Sequence, residues 1–153
     1  IWQNRQDRWQ NTLLSKSREE LDDINKRKLP HGYFVSKGEN AIYARLSEYY
    51  ADKEIEQQFT LKGNGRYYIF DIKCGNKIIE YNGDFWHMNP KIYDSETVNR
   101  ATKRKAFEQW ELDKAKIAVA KNQGYQVFVV WENDYKTFPD ITLSNLCRFI
   151  EYG

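Results

Sequence analysis

The sequence predicts an α/β domain with element order αβββαβα. Three observations predict it: apolar residues at helical spacing just after Gly38, three strand-like runs separated by glycine-asparagine turns, and a long charged helix that stops at Gly124 ahead of an aliphatic strand. The chain has 153 residues, 41% hydrophobic and 30% charged, which suits one core and leaves no room for a second full domain. Its apolar runs are short and its mean hydropathy is well below zero. That excludes a membrane-spanning helix and a secretory signal. Cys74 and Cys147 lie far apart with no C-x-x-C spacing, which excludes a disulfide framework and a cysteine-based zinc site and points to a reducing compartment, the cytoplasm. The chain opens on Ile1 rather than Met, so a fragment is expected, with room for a partner domain upstream.

The elements follow in order. Residues 1–37 read as a charged arm: Ser17 and Glu20 form a capping box opening a short helix through about Lys28, broken by Pro30 and Gly32. The compact part spans 38–153. Ile42, Leu46 and Tyr49 or Tyr50 recur at helical spacing over 39–51. Gln57 to Lys62, Tyr67 to Lys73 and Lys77 to Asn82 read as strands, joined by hairpin signals at 63–65 and at Gly75-Asn76. A loop from Gly83 to Ser95 precedes a long helix expected from about Glu96 to Gln123. Gly124 is placed to end it. Gln126 to Glu132 reads as a buried strand, and Ile141 to Tyr152 as a closing helix with Leu143, Leu146 and Ile150 on one stripe.

Four carboxylates stand where the pattern wants apolar residues. The stripe of the long helix, Ala106, Trp110, Ile117 and Ala120 with Phe107 at its edge, passes through Asp113, and the first helix's stripe extends back to Glu39. Asp71 and Glu80 interrupt neighbouring strands, so their side chains can converge at a distance that Mg²⁺ bridges with oxygen ligands. A buried, unpaired carboxylate costs several kcal/mol, so each needs a cation, a metal or a solvent cleft. A bland account exists for each alone: Glu39 favours a helix N-terminus, and Asp113 pairs with Lys114 or Lys116 at the rim. Four together point to a site.

Net charge is +2, but it is unevenly spread: residues 1–38 carry eight Lys or Arg against five acids, and Arg100, Lys103, Arg104 and Lys105 form a run with no acid. Such patches bind phosphate even on a nearly neutral chain, although a solvated helix face has the same composition. Asn82-Gly83-Asp84-Phe85-Trp86-His87 then places two large aromatics and one of the two histidines in a loop after a strand that carries acids.

On these residues the chain resembles the very-short-patch repair endonucleases and the related homing endonucleases named for an E-D-x-H-D motif, within the PD-(D/E)xK nuclease fold. The resemblance covers about residues 38–151. Glu39 takes the first acid, Asp71 the central aspartate, Tyr81 the variable position, His87 at the end of Gly-x-Phe-Trp-His the histidine, and Asp113, eleven residues before Gly124, the last aspartate. Gly-Tyr-Gln-Val-Phe-Val-Val-Trp-Glu resembles the family's Gly-Trp-x-Val-x-x-Val-Trp-Glu. The resemblance implies an αβββαβ core with a mixed central sheet flanked by helices, and the N-terminal arm outside it. Two departures stand out. Asp84 replaces a cysteine that helps hold a structural zinc in the repair enzymes, so no structural zinc is expected. Glu80-Tyr81-Asn82 looks like the E-x-K element of other PD-(D/E)xK nucleases with asparagine for lysine.

The resemblance implies a metal-dependent endonuclease acting on double-stranded DNA, with Mg²⁺ or Mn²⁺ held by Asp71, Glu80 and the main-chain carbonyl of Tyr81. His87, a side chain that exchanges protons near neutrality, serves as general base for water; Asp113 orients it or positions the hydrated metal, and Glu39 binds a metal water or a second ion. Phe85 and Trp86 have the shape to wedge between base steps, while the arm and Arg100, Lys103, Arg104 and Lys105 hold phosphates. Loss of the zinc position favours a phage or mobile-element homing nuclease, working in the host cytoplasm, over a T:G mismatch-nicking enzyme or an inactive DNA-binding module.

Overall fold

The computed structural model describes residues 35–153; the expected arm helix from Ser17 to Lys28 lies outside the described residues. The first described helix, α1 (Lys37–Tyr49), starts where Ser36, in extended conformation, accepts the Glu39 N–H on its hydroxyl at 3.1 Å. It buries Glu39, Ile42 and Leu46 along one face. Gly38 is required here, because a Cβ would stand 2.2 Å from the Tyr81 ring.

Strands β1 (Ile55–Gly63), β2 (Arg66–Cys74) and β3 (Lys77–Asn82) form an antiparallel meander, and β4 (Gln126–Trp131) lies parallel to β3, giving a mixed α/β sheet of order β1-β2-β3-β4. Asn64 and Gly65 both take positive φ, 53° and 71°, as the first hairpin turn demands. The return to β4 runs through α2 (Ala106–Asn122); two further helices follow, α3 (Glu132–Thr137) and α4 (Pro139–Tyr152).

Helices cover both faces. Ile42 and Leu46 of α1 and Leu146 and Ile150 of α4 pack with Ile72, Ile79, Tyr81 and Val130. On the other face Val119 and Ala120 of α2 pack with Phe59, Leu61, Phe70 and Ile78. Side chains two apart on a strand share a face, yet Ile72 belongs to the first core and Phe70 to the second. On β1, Ile55 joins the first core while Phe59 and Leu61 join the second. Alternation therefore inverts in both strands of the hairpin, between Gln57 and Phe59 and between Phe70 and Ile72. The residues at the inversion are Gln58, with φ 57°, and Asp71.

Five expectations are corrected. The long helix begins at Ala106 and not near Glu96: the Asn99 carboxamide accepts the N–H groups of Ala101 and Thr102, Lys103 takes φ 63°, and Val98 bridges to Lys105, so the backbone satisfies itself in a turn instead of a helix. The Lys105 N–H donates to Glu108, which closes the helix start there. Its buried positions are Ala106, Gln109, Val119 and Ala120, whereas Trp110 and Ile117 are half-buried and Phe107 is exposed. Strand β4 is half-buried rather than buried, with Val130 alone fully covered, because it is an edge strand with one neighbour. Glu132 opens a short helix instead of ending the strand, and α4 starts at Pro139, a residue suited to a first helical turn. Among the described residues no helix is long and apolar enough to cross a membrane.

Candidate active site

The β2–β3 ladder runs from Cys74↔Lys77 to Ile72↔Ile79. Beyond it the side chains take over. Glu80 Oε1 accepts the Asp71 N–H at 2.8 Å, and Asp71 Oδ2 accepts the Tyr81 N–H at 2.8 Å. Each acid thus caps the other's strand where the strands part, so both are fixed by backbone donors instead of merely sharing a face as the sequence suggests. Glu80 is 5% exposed, and its second oxygen accepts from Lys116 Nζ at 2.6 Å. Lys116 reaches in from α2, its ammonium 4.8 Å from the centre of the Phe70 ring.

Glu39 enters from the opposite layer. It is 2% exposed, its Oε1 accepts from Gln58 Nε2 at 2.8 Å, and its carboxyl lies within hydrogen-bonding reach of Asp71. Its Oε2 is buried without a donor. Two carboxyl groups in contact are acceptor against acceptor, so a proton or a cation must lie between them. The left-handed backbone of Gln58 costs about 1–2 kcal/mol, and such strain gathers at functional sites.

Charge is unbalanced: three carboxyls, Glu39, Asp71 and Glu80, face one ammonium. Burial pushes the Asp71 carboxyl up to about 7, with Glu39 adding to the rise and Lys116 opposing it. Burial likewise raises Glu80 to about 7, helped by Asp71 and opposed by Lys116. Glu39 is raised by burial, while hydrogen bonds from Asp71 and Gln58 pull the other way. Burial alone would lower Lys116, but Glu80 and Asp71 more than offset it and hold its pKa above the usual lysine value. The donor set, hard carboxylate oxygens with excess negative charge and an orphaned buried oxygen, fits a divalent cation such as Mg²⁺. Among the described residues, no group of three or more His, Cys, Asp or Glu side chains is placed so that together they could hold a metal ion.

A second pair lies on the same side. His87 Nδ1 and Asp113 Oδ2 are 2.9 Å apart, and the other Asp113 oxygen accepts from Gln109 Nε2 at 2.9 Å. Asp113 therefore pairs with His87 and not with Lys114 or Lys116. With a carboxylate at Nδ1, the neutral ring keeps its proton there and leaves the Nε2 lone pair as the basic position. Asp113 and Lys116, three residues apart on α2, sit on one helix face and feel each other's charge. The helix so joins the histidine pair to the carboxylate cluster.

The loop that presents His87 is held by polar contacts. Asp84 Oδ1 accepts from Asn89 Nδ2 at 2.8 Å, the Asp84 N–H donates to Glu132, and Trp110 Nε1 donates to the Met88 carbonyl at 2.7 Å. Phe85 and Trp86 meet edge to face at 5.1 Å, and Trp86 is 58% exposed. The Arg100 guanidinium lies 5.5 Å from the Phe85 ring centre. Buried Asn99 donates to the Phe85 carbonyl at 2.7 Å, so the aromatic loop and the basic loop form one unit. Arg100, Lys103 and Arg104 are exposed on that loop and not on a helix face. Lys105 pairs with Glu96 at 2.8 Å, so one of the four cations has an acid partner in space. Tyr81 gives its N–H to Asp71, while its ring crosses that of Tyr135 at 6.3 Å.

Sequence reasoning missed Lys116 as the partner of Glu80, Gln58 as the partner of Glu39, and Gln109 as the support of Asp113. A signal existed for Lys116, which stands one turn from Asp113 on the same stripe, and for Gln109, a polar residue at a core position. None existed for Gln58, whose contact depends on an inverted strand. Comparison with protein-family models, with curated proteins and with solved structures gave no match.

Proposed function

We propose that the chain is a divalent-cation-dependent DNA endonuclease of the PD-(D/E)xK kind, hydrolysing phosphodiester bonds in double-stranded DNA, and that it is a homing-type enzyme of a phage or mobile element rather than a mismatch-repair enzyme. The observation that supports it best is the cluster of Glu39, Asp71 and Glu80, three carboxyls against one lysine, Lys116, which stands one helical turn from the Asp113 of the His87–Asp113 pair. Asp71, Glu80 and the Tyr81 carbonyl would hold Mg²⁺ or Mn²⁺, which when bound offsets phosphate charge and eases departure of the leaving oxygen. Asp113 fixes the His87 ring, and Nε2 takes the proton of the attacking water as the oxygen–phosphorus bond forms. Lys116 opposes the rise that burial imposes on Glu80 and brings positive charge to the site. Phe85 and Trp86, with Arg100 against them, meet the base steps, while Arg100, Lys103 and Arg104 meet phosphates, with Lys105 beside them.

The test is cleavage of a randomised duplex library with Mg²⁺, followed by end mapping. Cut ends that vanish with EDTA are expected. Binding with no cleavage in Mg²⁺ or Mn²⁺ would return the chain to a DNA-binding module, and a preference for T:G mispaired duplex would return it to mismatch nicking.

A further inference from the structure

We propose that Gln58 is a positioning residue of this site, holding the Glu39 carboxyl against Asp71, and that the left-handed backbone at Gln58 is what delivers it there. The inference rests on the nuclease reading above and adds to it a residue that no motif marks. Consecutive residues of a strand point to opposite faces, yet Gln57 and Gln58 both reach α1: Gln57 Nε2 donates to Asn40 Oδ1 at 3.1 Å and Gln58 Nε2 to Glu39 Oε1 at 2.8 Å. The positive φ of 57° makes this possible. Gln58 stands opposite Asp71, in the one gap of the β1–β2 register.

The residue type matters as much as the backbone. Glycine would take this conformation without strain, and asparagine more easily than glutamine; only a longer side chain with a terminal N–H donor both spans to Glu39 and donates to it. By engaging Oε1, Gln58 fixes the carboxyl in contact with Asp71 and leaves Oε2 undonated, free to take a proton or a cation. Four elements meet at this point: Glu39 of α1, Gln58 of β1, Asp71 of β2 and Glu80 of β3, with Lys116 of α2 supplying the positive charge.

The experiment compares the wild-type chain with Gln58→Gly, Gln58→Asn and Gln57→Ala. Gln58→Gly removes the strain and the donor together, so its melting temperature should equal or exceed that of the wild type while kcat falls about tenfold or more. Duplex affinity should stay unchanged. Mn²⁺ binding, read by calorimetry without DNA, should weaken in the same variant. Gln57→Ala, which cuts the neighbouring tie between β1 and α1, should cleave normally. A Gln58→Gly chain that binds Mn²⁺ and cleaves like the wild type overturns the proposal, as does an equal loss in Gln57→Ala, which would make both glutamines simple ties. Should Gln58→Gly fail to fold, Gln58→Asn, which tolerates the backbone but falls short of Glu39, carries the same expectations and the same overturning results. A wild-type chain that neither cleaves nor binds Mn²⁺ overturns the nuclease reading and this inference with it; an active wild type with an equally active Gln58→Gly overturns this inference alone.

Discussion

Glu80 and Lys116 meet at 2.6 Å across 36 residues of chain, so the buried carboxyl of β3 takes its ammonium from α2 and not from its own strand. Breaking a buried pair by removing one partner costs about 3–5 kcal/mol, because the other charge is left uncompensated. Lys116→Met should therefore lower the melting temperature markedly at pH 8, and adding Glu80→Gln to it should recover much of the loss. Failure of the double variant to recover would show that Lys116 supports the fold by packing on Phe70 and not by charge.

Asp71→Asn removes charge and little volume. Cleavage should fall by at least about a hundredfold, roughly 2.7 kcal/mol of barrier, with duplex binding kept within about twofold of the wild type. Gel-shift and plasmid-nicking assays on one preparation separate the two effects. Robust Mg²⁺-dependent nicking by the variant would remove Asp71 from the chemistry.

The His87–Asp113 pair predicts a graded result. His87→Ala removes the proposed base, and Asp113→Asn leaves the ring without the carboxylate at Nδ1; general-base catalysis contributes about 10²–10⁴-fold, so each variant should lose at least tenfold in kcat and the double variant little more than the worse single. Additive losses would mean that the two act separately.

Stability without metal should depend on pH in a defined direction. Asp71 and Glu80 have folded-state pKa values raised by burial to about 7, above the ordinary carboxylate range, so the folded chain holds protons that the unfolded chain releases. Their contribution is fully present below about pH 4 and is lost as pH rises through about 7. In EDTA, the melting temperature should fall between pH 5 and 8. Asp71→Asn should flatten that slope, and Mg²⁺ should raise the melting temperature more at pH 8 than at pH 5. A slope unchanged by Asp71→Asn would place the coupled protons elsewhere.

Gly38→Ala puts a methyl group into the Tyr81 ring, with three ring and hydroxyl atoms at 2.2–2.7 Å. Overpacking of this kind costs about 1–3 kcal/mol. Because Gly38 precedes Glu39, the helix start must shift, and cleavage should fall along with stability. Pairing it with Tyr81→Phe, which removes the hydroxyl 2.3 Å from that Cβ, should restore part of both.

The legible part of the fold was that written in local patterns. The three strands and their turns stand within two residues of where alternation and Asn64-Gly65 place them, and Gly124, at φ 91°, follows the end of α2 as its residue type suggests. The start of α2 was illegible because a single side chain, Asn99, turns a stretch of good helix formers into a loop. At the site, Asp71, Glu80, Glu39 and Asp113 were visible as acids out of pattern, since burial without a partner is costly. Their partners were visible unevenly: His87, Lys116 and Gln109 left a trace in the sequence, whereas Gln58 is an ordinary polar residue at an ordinary position, and only the three-dimensional path of β1 brings it to Glu39.

The inversion of alternation at Gln58 and Asp71 also divides the hairpin between two separate hydrophobic clusters, the base of it packed with α1 and α4 and the tip with α2. The carboxylates stand on the seam. Proteins open locally in cooperative units, and here each unit contributes part of the same small cluster: Glu39 comes with the first, Lys116 with the second, and Asp71 belongs to the strand that crosses from one to the other. An opening confined to either cluster would dismantle the site without unfolding the whole chain.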